Sequence, residues 1–245
     1  MSQRSVLIAG ATGGIGRAVA TELAGSGLRV ALMGRDRGRL EQTRNELGLS
    51  DDACKIAPCD PADRAAVKAA VDSVLASLGA IDVLVCAAGI NVPQRSLRSL
   101  DPADFDRVIA ANLNSAFNVI YHVLPSMRNR GDGLVIQIGS LASLRASALA
   151  GAAYSASKFA QLALGVCIGR EERGRGIRST VICPGEVNTP FLDQRAGRPG
   201  AGEGGRREMI LQPQDVAAAV RFVVELPPRA CVPELVIKPT IDDFS

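Results

Sequence analysis

The chain reads as an α/β protein built on a doubly wound, seven-stranded parallel sheet with helices on both faces. Three observations predict this. Short apolar or β-branched runs alternate with longer segments rich in Ala, Leu, Arg and Glu from one end to the other, the pattern of repeated strand-helix units around a buried parallel sheet. A cluster of glycines follows the first apolar run and opens the first helical one, as a phosphate-binding turn would. The length, 245 residues, suits one large domain spanning 1–245, with neither an internal repeat nor a linker to divide it.

Each element has its own signal. Strands are expected at residues 6–9, 29–33, 54–58, 83–86, 134–138, 179–183 and 235–237, each a short run of buried-type side chains. Helices are expected at 15–25, 37–47, 61–78, 102–128, 153–173 and 213–225. Three of these open on or near Pro61, Pro102 and Pro213, where a missing amide hydrogen costs nothing. Right-handed crossovers then wind the sheet in both directions. The stretch 188–212 stands apart, because its centre, 194–207, is rich in glycine and arginine and almost free of large apolar residues. It is expected to be a mobile loop, either a lid over a site or a solvated surface loop.

Composition excludes several functions. A formal net charge of +3 with 3% aromatic residues offers no basic stripe for nucleic acid and no sign of an acidic partner. The run Val6-Leu7-Ile8-Ala9 is too short for a signal-peptide core or a membrane span, so a cytoplasmic protein without a membrane partner is expected. Six cysteines, Cys54, Cys59, Cys86, Cys167, Cys183 and Cys231, include no C-x-x-C pair. They read as small buried hydrophobes, not as disulfides or ligands. The only histidine, His122, falls in a helical stretch and reads as a packing or surface residue, which leaves neither a metal site nor a Ser-His-Asp triad.

Two patterns carry chemistry. In Gly10-Ala11-Thr12-Gly13-Gly14-Ile15-Gly16, any Cβ would hold the backbone away from a pyrophosphate, whose charge the amides of a helix N-terminus stabilise. That predicts a Rossmann-type nucleotide site. Further along, Tyr154-Ser155-Ala156-Ser157-Lys158 spaces a phenol and an ammonium four residues apart, on one face of a helix. Free tyrosine titrates near about 10, so it needs neighbouring positive charge to exchange protons near neutrality, and Lys158 can supply it. Upstream, the apolar run 134–138 leads into Gly139-Ser140, which sets a hydroxyl at the carboxyl edge of the sheet, where ligands bind in such folds.

The spacing Gly-x-x-x-Gly-x-Gly, Asn112 in Ala111-Asn112-Leu113-Asn114, Ser140, Tyr154-x-x-x-Lys158 and Cys183-Pro184-Gly185, in that order, resemble the short-chain dehydrogenase/reductase family over essentially all of residues 6–239. The resemblance implies an NADP(H)-dependent oxidoreductase that interconverts a carbonyl and a secondary alcohol, with hydride exchanged by the nicotinamide and a proton by Tyr154. It implies a catalytic set of Asn112, Ser140, Tyr154 and Lys158, in which Ser140 polarises the substrate oxygen and Asn112 holds a water that links Lys158 to solvent. Ser143 is the rival of Ser140, and Asn114 of Asn112. Implied cofactor contacts are Gly10, Thr12, Gly13, Gly14, Ile15 and Gly16 at the first turn, with Ala88 and Gly89 in Cys86-Ala87-Ala88-Gly89, where the family has Asn-Asn-Ala-Gly. Tyr154 and Lys158 also meet the cofactor, as do Pro184, Gly185, Val187 and Thr189 beside the nicotinamide. Asp60 resembles the residue that meets adenine, or is equally an ordinary helix cap.

The resemblance also bears on which nucleotide binds. The carboxylate position of NAD-specific relatives falls on Gly34, and the next residue, Arg35, can form charge-assisted bonds to a 2′-phosphate. This favours NADP(H), with NAD(H) as the alternative. Asp36 reads as the N-cap of the following helix. The ending 226–240 resembles a subgroup that includes serine and 3-hydroxy-acid dehydrogenases, which implies a small polar hydroxy or keto substrate. Arg195, Arg198, Arg206 and Arg207 either meet a carboxylate or are simply solvated. Family dimers pair the helices matching 102–128 and 153–173, so a homodimer or homotetramer is expected. The alternative to an enzyme is an NADP(H)-binding sensor or scaffold without turnover, against which the Ser140, Tyr154 and Lys158 set argues.

Overall fold

The computed structural model describes residues 3–192 and 208–241. Seven strands form one parallel sheet: β1 (Ser5–Ala9), β2 (Arg29–Gly34), β3 (Cys54–Pro58), β4 (Val83–Cys86), β5 (Gly133–Ile138), β6 (Ile177–Pro184) and β7 (Glu234–Ile237). Their order is β3-β2-β1-β4-β5-β6-β7, and every pairing is parallel. All seven expected strands are present, each within two residues of its expected bounds. The helices are α1 (Gly14–Gly25), α2 (Arg37–Leu47), α3 (Arg64–Leu78), α4 (Pro102–Ile109), α5 (Ser115–Arg130), α6 (Ala152–Glu172) and α7 (Pro213–Glu225).

Side chains alternate across the sheet with period two, and both faces are buried. Val6, Ile8, Val30, Leu32, Val85 and Ile136 pack on one face against Val19, Leu23, Val216 and Val220 of α1 and α7. Leu7, Ala31, Leu84 and Val135 pack on the other against Val67 and Val71 of α3 and Val119, Val123 and Met127 of α5. Double coverage explains why the strands are continuous apolar runs. The strand order reverses between β1 and β4, so their carboxyl ends diverge beneath the connecting loops and leave a crevice there.

Several local expectations need correction. The third helix begins at Arg64, not at 61, because the Asp63 side chain accepts hydrogen bonds from the Ala65 and Ala66 amides and so places the N-terminus there. The stretch 102–128 is two helices, α4 and α5, joined by a π turn, Ala110–Asn114. Cys54, Cys86 and Cys183 are buried as expected, whereas Cys167 and Cys231 are exposed. Burial pushes the Cys86 thiol up to about 12, well away from nucleophilic behaviour. No helix among the described residues is long and apolar enough to cross a membrane.

Candidate active site

The glycine turn shows which of its residues serve the fold and which face a ligand. Gly10 has a φ of +86°, and a Cβ on it would lie 2.5 Å from the Ala88 nitrogen; a Cβ on Gly16 would lie 2.2 Å from the Gly10 carbonyl oxygen. Both positions are therefore required by chain passing against chain. Gly13 is different, since its Cβ would meet only the Gly10 oxygen at 3.5 Å, and its cleft side is open. Gly14 packs under the Thr189 methyl, where a Cβ would come within 2.7 Å. No side chain caps the N-terminus of α1, so its first amides are available to an anion.

From this turn a cleft of about 940 Å³ runs along the carboxyl edge of the sheet, a volume suited to a dinucleotide-sized ligand. Thr12, Gly13, Gly14, Ile15 and Gly16 line one end, and Gly89, Ser140, Tyr154, Lys158, Pro184, Gly185, Val187 and Thr189 line the rest. Gly10 and Ala88 lie behind this wall, one braced on the other. The described ends of the stretch 188–212 meet beside it: the Asn188 amide donates to Leu211 O at 2.7 Å, and the Leu211 amide donates to Glu186 O at 3.1 Å. The centre of the expected lid, 194–207, lies outside the described residues.

The candidate reacting groups converge from two elements. Ser140 follows β5 in an extended conformation, and its Oγ accepts from the Ala142 amide at 3.1 Å. Ser143, its rival, is fully buried, and its Oγ accepts from the Ser140 amide at 3.1 Å. The structure thus brings Ser140 to the cleft and uses Ser143 as its brace. Tyr154, in the first turn of α6, sits half-buried with its ring 5.8 Å from that of Phe191. Lys158 lies one turn on with only 4% exposure. Its Nζ is 5.6 Å from the Tyr154 ring centroid and donates to Ile138 O at 2.9 Å and Gln161 Oε1 at 2.8 Å. Burial pulls this lysine from its usual 10.5 down to about 8, so the ammonium persists at neutral pH and is lost above that value.

Asn112 lies at the centre of the π turn and is fully buried. Its Oδ1 accepts from the Ile90 amide at 2.7 Å, while Nδ2 donates to Ile90 O at 3.0 Å and Ser157 Oγ at 2.9 Å. It ties the loop after β4 to α6 from behind the cleft wall. Asn114 is exposed.

Besides Gly10 and Ala88, two further expected cofactor residues, Asp60 and Arg35, do not line the wall. Asp60 is exposed and caps its own turn, accepting from the Ala62 amide at 3.0 Å. Arg35 is exposed and does not line the cleft, whereas Arg39 does and donates to Thr12 O at 3.0 Å. Asp36 is the N-cap of α2, accepting from the Arg39 amide. Arg17 and Glu46, which also line this end, form an ion pair. The sequence reading missed Arg39, Arg17, Asn91, Arg95 and Gln161. Only Gln161 had a local signal, a polar residue three positions after Lys158 on an apolar helix face.

These features fit a nicotinamide nucleotide: an uncapped helix N-terminus, an open glycine backbone, and a buried lysine beside a tyrosine. The family model for short chain dehydrogenases matches residues 4–198. The chain belongs to the short-chain dehydrogenase family. It is 32% identical over 191 residues to 2-dehydro-3-deoxy-L-rhamnonate dehydrogenase (NAD(+)) of Sphingomonas sp., covering 78% of this chain and 75% of that protein. It is 36% identical over 199 residues to 2-(R)-hydroxypropyl-CoM dehydrogenase of Xanthobacter autotrophicus, covering 80% and 79%. Among solved structures, the closed form of serine dehydrogenase complexed with NADP+ superposes with a TM-score of 0.88 at 29% identity, over 98% of this chain and 97% of that one. Like other short-chain dehydrogenases, this chain is an oxidoreductase that binds a nicotinamide nucleotide and a small-molecule substrate.

The glycines divide experimentally. Gly16→Ala forces a Cβ onto backbone that has no room to yield, and should lower unfolding free energy by about 1–3 kcal/mol in denaturant titration. Gly13→Ala should unfold like the wild type but bind the nucleotide on the order of tenfold more weakly in calorimetry.

Proposed function

We propose that this short-chain dehydrogenase uses NADP(H) to interconvert a carbonyl and a secondary alcohol on a small polar substrate, with Tyr154 as proton donor and acceptor. The observation that carries the reading is that Ser140, Tyr154 and Lys158 line the same cleft as the open backbone of Gly13 and Gly14. A sensor or scaffold has no need of a buried lysine held beside a cleft tyrosine.

Bound nicotinamide supplies or accepts the hydride at the substrate carbon. Gly13, Gly14 and the first amides of α1 would hold its pyrophosphate, with Val187 and Thr189 beside the nicotinamide. In reduction, the Ser140 hydroxyl donates a hydrogen bond to the substrate oxygen and Tyr154 delivers the proton to it. The Lys158 ammonium stabilises the phenolate that remains, because an adjacent cation favours the charged form. In oxidation the same phenolate removes the hydroxyl proton. Asn112 is a positioning residue in this scheme, since its bonds to Ile90 and Ser157 set the cleft wall and the first turn of α6. Asn91 and Arg95 add polar groups to a cleft that also holds Leu149 and Phe191, a mixture suited to a small polar substrate.

The preference for NADP(H) rests on the end of β2. Gly34 offers no carboxylate to a ribose hydroxyl, although a Cβ there would have ordinary contacts, nearest Leu40 at 3.5 Å. Asp36 is occupied as a helix cap. Arg39 in the cleft and exposed Arg35 beside it supply the positive charge for a 2′-phosphate. Self-association is supported by aromatic side chains left exposed on α5 and α6, namely Phe117 at 38%, Tyr121 at 57% and Phe159 at 41%, an arrangement suited to a symmetric helix-on-helix contact in a homodimer or homotetramer.

Purified protein titrated with NADPH and NADH, then assayed for NADPH oxidation against ketones, keto acids and diketones, should bind NADPH more tightly and turn over at least one class. Binding without turnover across the panel would favour a sensor instead. Tyr154→Phe should cost on the order of 10²–10⁴ in kcat while leaving nucleotide affinity near wild type; near-normal turnover would sink the assignment. Replacing Arg35 and Arg39 with alanine should weaken NADPH roughly tenfold or more and leave NADH little changed. In sedimentation velocity the wild type should run as a dimer or tetramer, and Tyr121→Lys with Phe159→Lys should shift it to monomer.

A further inference from the structure

Lys158 is held by a group that the proposed reaction does not require. Gln161, one turn further along α6, is fully buried, as are Gly165 and Ile168 further along the same helix, a place where an apolar side chain would ordinarily pack. Its Oε1 accepts from Lys158 Nζ at 2.8 Å, while its Nε2 is buried without a protein partner. An unpaired buried amide end costs about 1–3 kcal/mol, so stability alone does not account for a glutamine here.

An ammonium has three N–H donors. Ile138 O from the end of β5 and Gln161 Oε1 take two of them, which leaves the third for another acceptor. Lys158 and Gly89 both line the cleft, and a Cβ on Gly89 would stand 3.6 Å from Nζ. The titratable groups facing Nζ are Tyr154 from the same helix and Cys183 from β6, whose thiol burial pushes upward and so keeps neutral. The amide oxygen accepts a hydrogen bond from the charged form and thereby opposes desolvation. Being neutral, it does so without cancelling the field of the ammonium at the phenol.

We propose that Gln161 is a positioning residue for the proton transfer, which anchors the Lys158 ammonium against Ile138 O and keeps it charged and aimed at the cleft. This rests on the reading in which Tyr154 and Lys158 carry the proton. Gln161→Met keeps length and volume but removes the acceptor; Gln161→Glu keeps an acceptor and adds charge.

The test is a lysine titration by NMR on protein labelled at lysine Cε, practicable because the chain has four lysines, combined with pH profiles of kcat and KM. Gln161→Met should lower the Lys158 midpoint by about one pH unit, tenfold in its ionisation constant, and Gln161→Glu should raise it. Where a substrate is turned over, kcat of the methionine variant should fall at least about tenfold with KM little changed, and the limb of its pH profile should shift, while the glutamate variant recovers part of the rate. An unmoved midpoint with a wild-type pH profile in Gln161→Met would mean that Gln161 merely packs, and would overturn the proposal. If Gln161→Met does not fold, the glutamate variant decides, because a midpoint that fails to rise there is equally fatal. The titration needs no turnover, so its failure is distinguishable from failure of the Tyr154 assignment.

Discussion

Gly10 crosses the backbone of Ala87 and Ala88 so closely that a single β-carbon would fall 2.5 Å from a peptide nitrogen, and the rest of the cleft depends on that crossing. The strand order reverses between β1 and β4, so the chain leaving β1 must turn over the end of β4 in very little space. A residue with φ near +86° and no side chain can do this without strain. Gly16 then lets α1 return against the Gly10 carbonyl. The N-terminal amides of α1 are therefore delivered to the crevice by packing of the protein on itself, and their ability to hold an anion follows from that placement.

The end of the cleft that holds Ser140 and Tyr154 is organised around one buried cation. Lys158 is almost fully removed from water, which disfavours its charge and lowers its affinity for a proton. Neutral oxygens offset part of that cost, one from the end of β5 and one from the next turn of α6. Because Ile138 O belongs to the sheet edge and Ser140 follows two residues later, the same strand end sets the lysine and the serine. The brace at Ser143 and the tie from Asn112 to Ile90 and Ser157 hold neighbouring backbone in place. The proposed chemistry would thus draw on the rigidity of a buried parallel sheet.

The opposite end of the cleft is looser. Arg17 and Glu46 neutralise one another, Arg39 reaches back to Thr12 O, and Arg35 stands in solvent. Long, solvated side chains of this kind adjust to a ligand at small cost. In the proposed reading, discrimination between phosphorylated and unphosphorylated ribose would fall to such side chains, and the pyrophosphate to backbone. The two ends therefore differ in physical character: one is set by the path of the main chain and the other by the balance of mobile charge.

Much of this was legible in the amino-acid sequence. Seven strands, the glycine turn and the Tyr154-Lys158 pair follow from periodicity and short spacings, which are local properties, and the family resemblance supplied the order of Asn112, Ser140 and the Pro184 segment. What escaped was whatever depends on groups distant along the chain. Asp60 read equally as an adenine contact and as a cap, and in the structure it caps its own turn while Asp63 caps the helix. Arg35 was singled out by its place after β2, but the first turn of α2 carries Arg39 to the cleft wall instead. The π turn at Asn112 needs Ile90 and Ser157 to stabilise it, neither of which its own neighbourhood announces. Even the glycines were read alike, as room for a ligand, whereas Gly10 and Gly16 answer to the chain's own backbone. Sequence determined the elements and the chemical inventory, because helix and strand periods are written residue by residue. Only the tertiary structure decided which polar residues meet the cleft and which brace it from behind, because that choice is made by backbone crossings and by hydrogen bonds such as those from Asn112 to Ile90 and Ser157, between elements tens of residues apart.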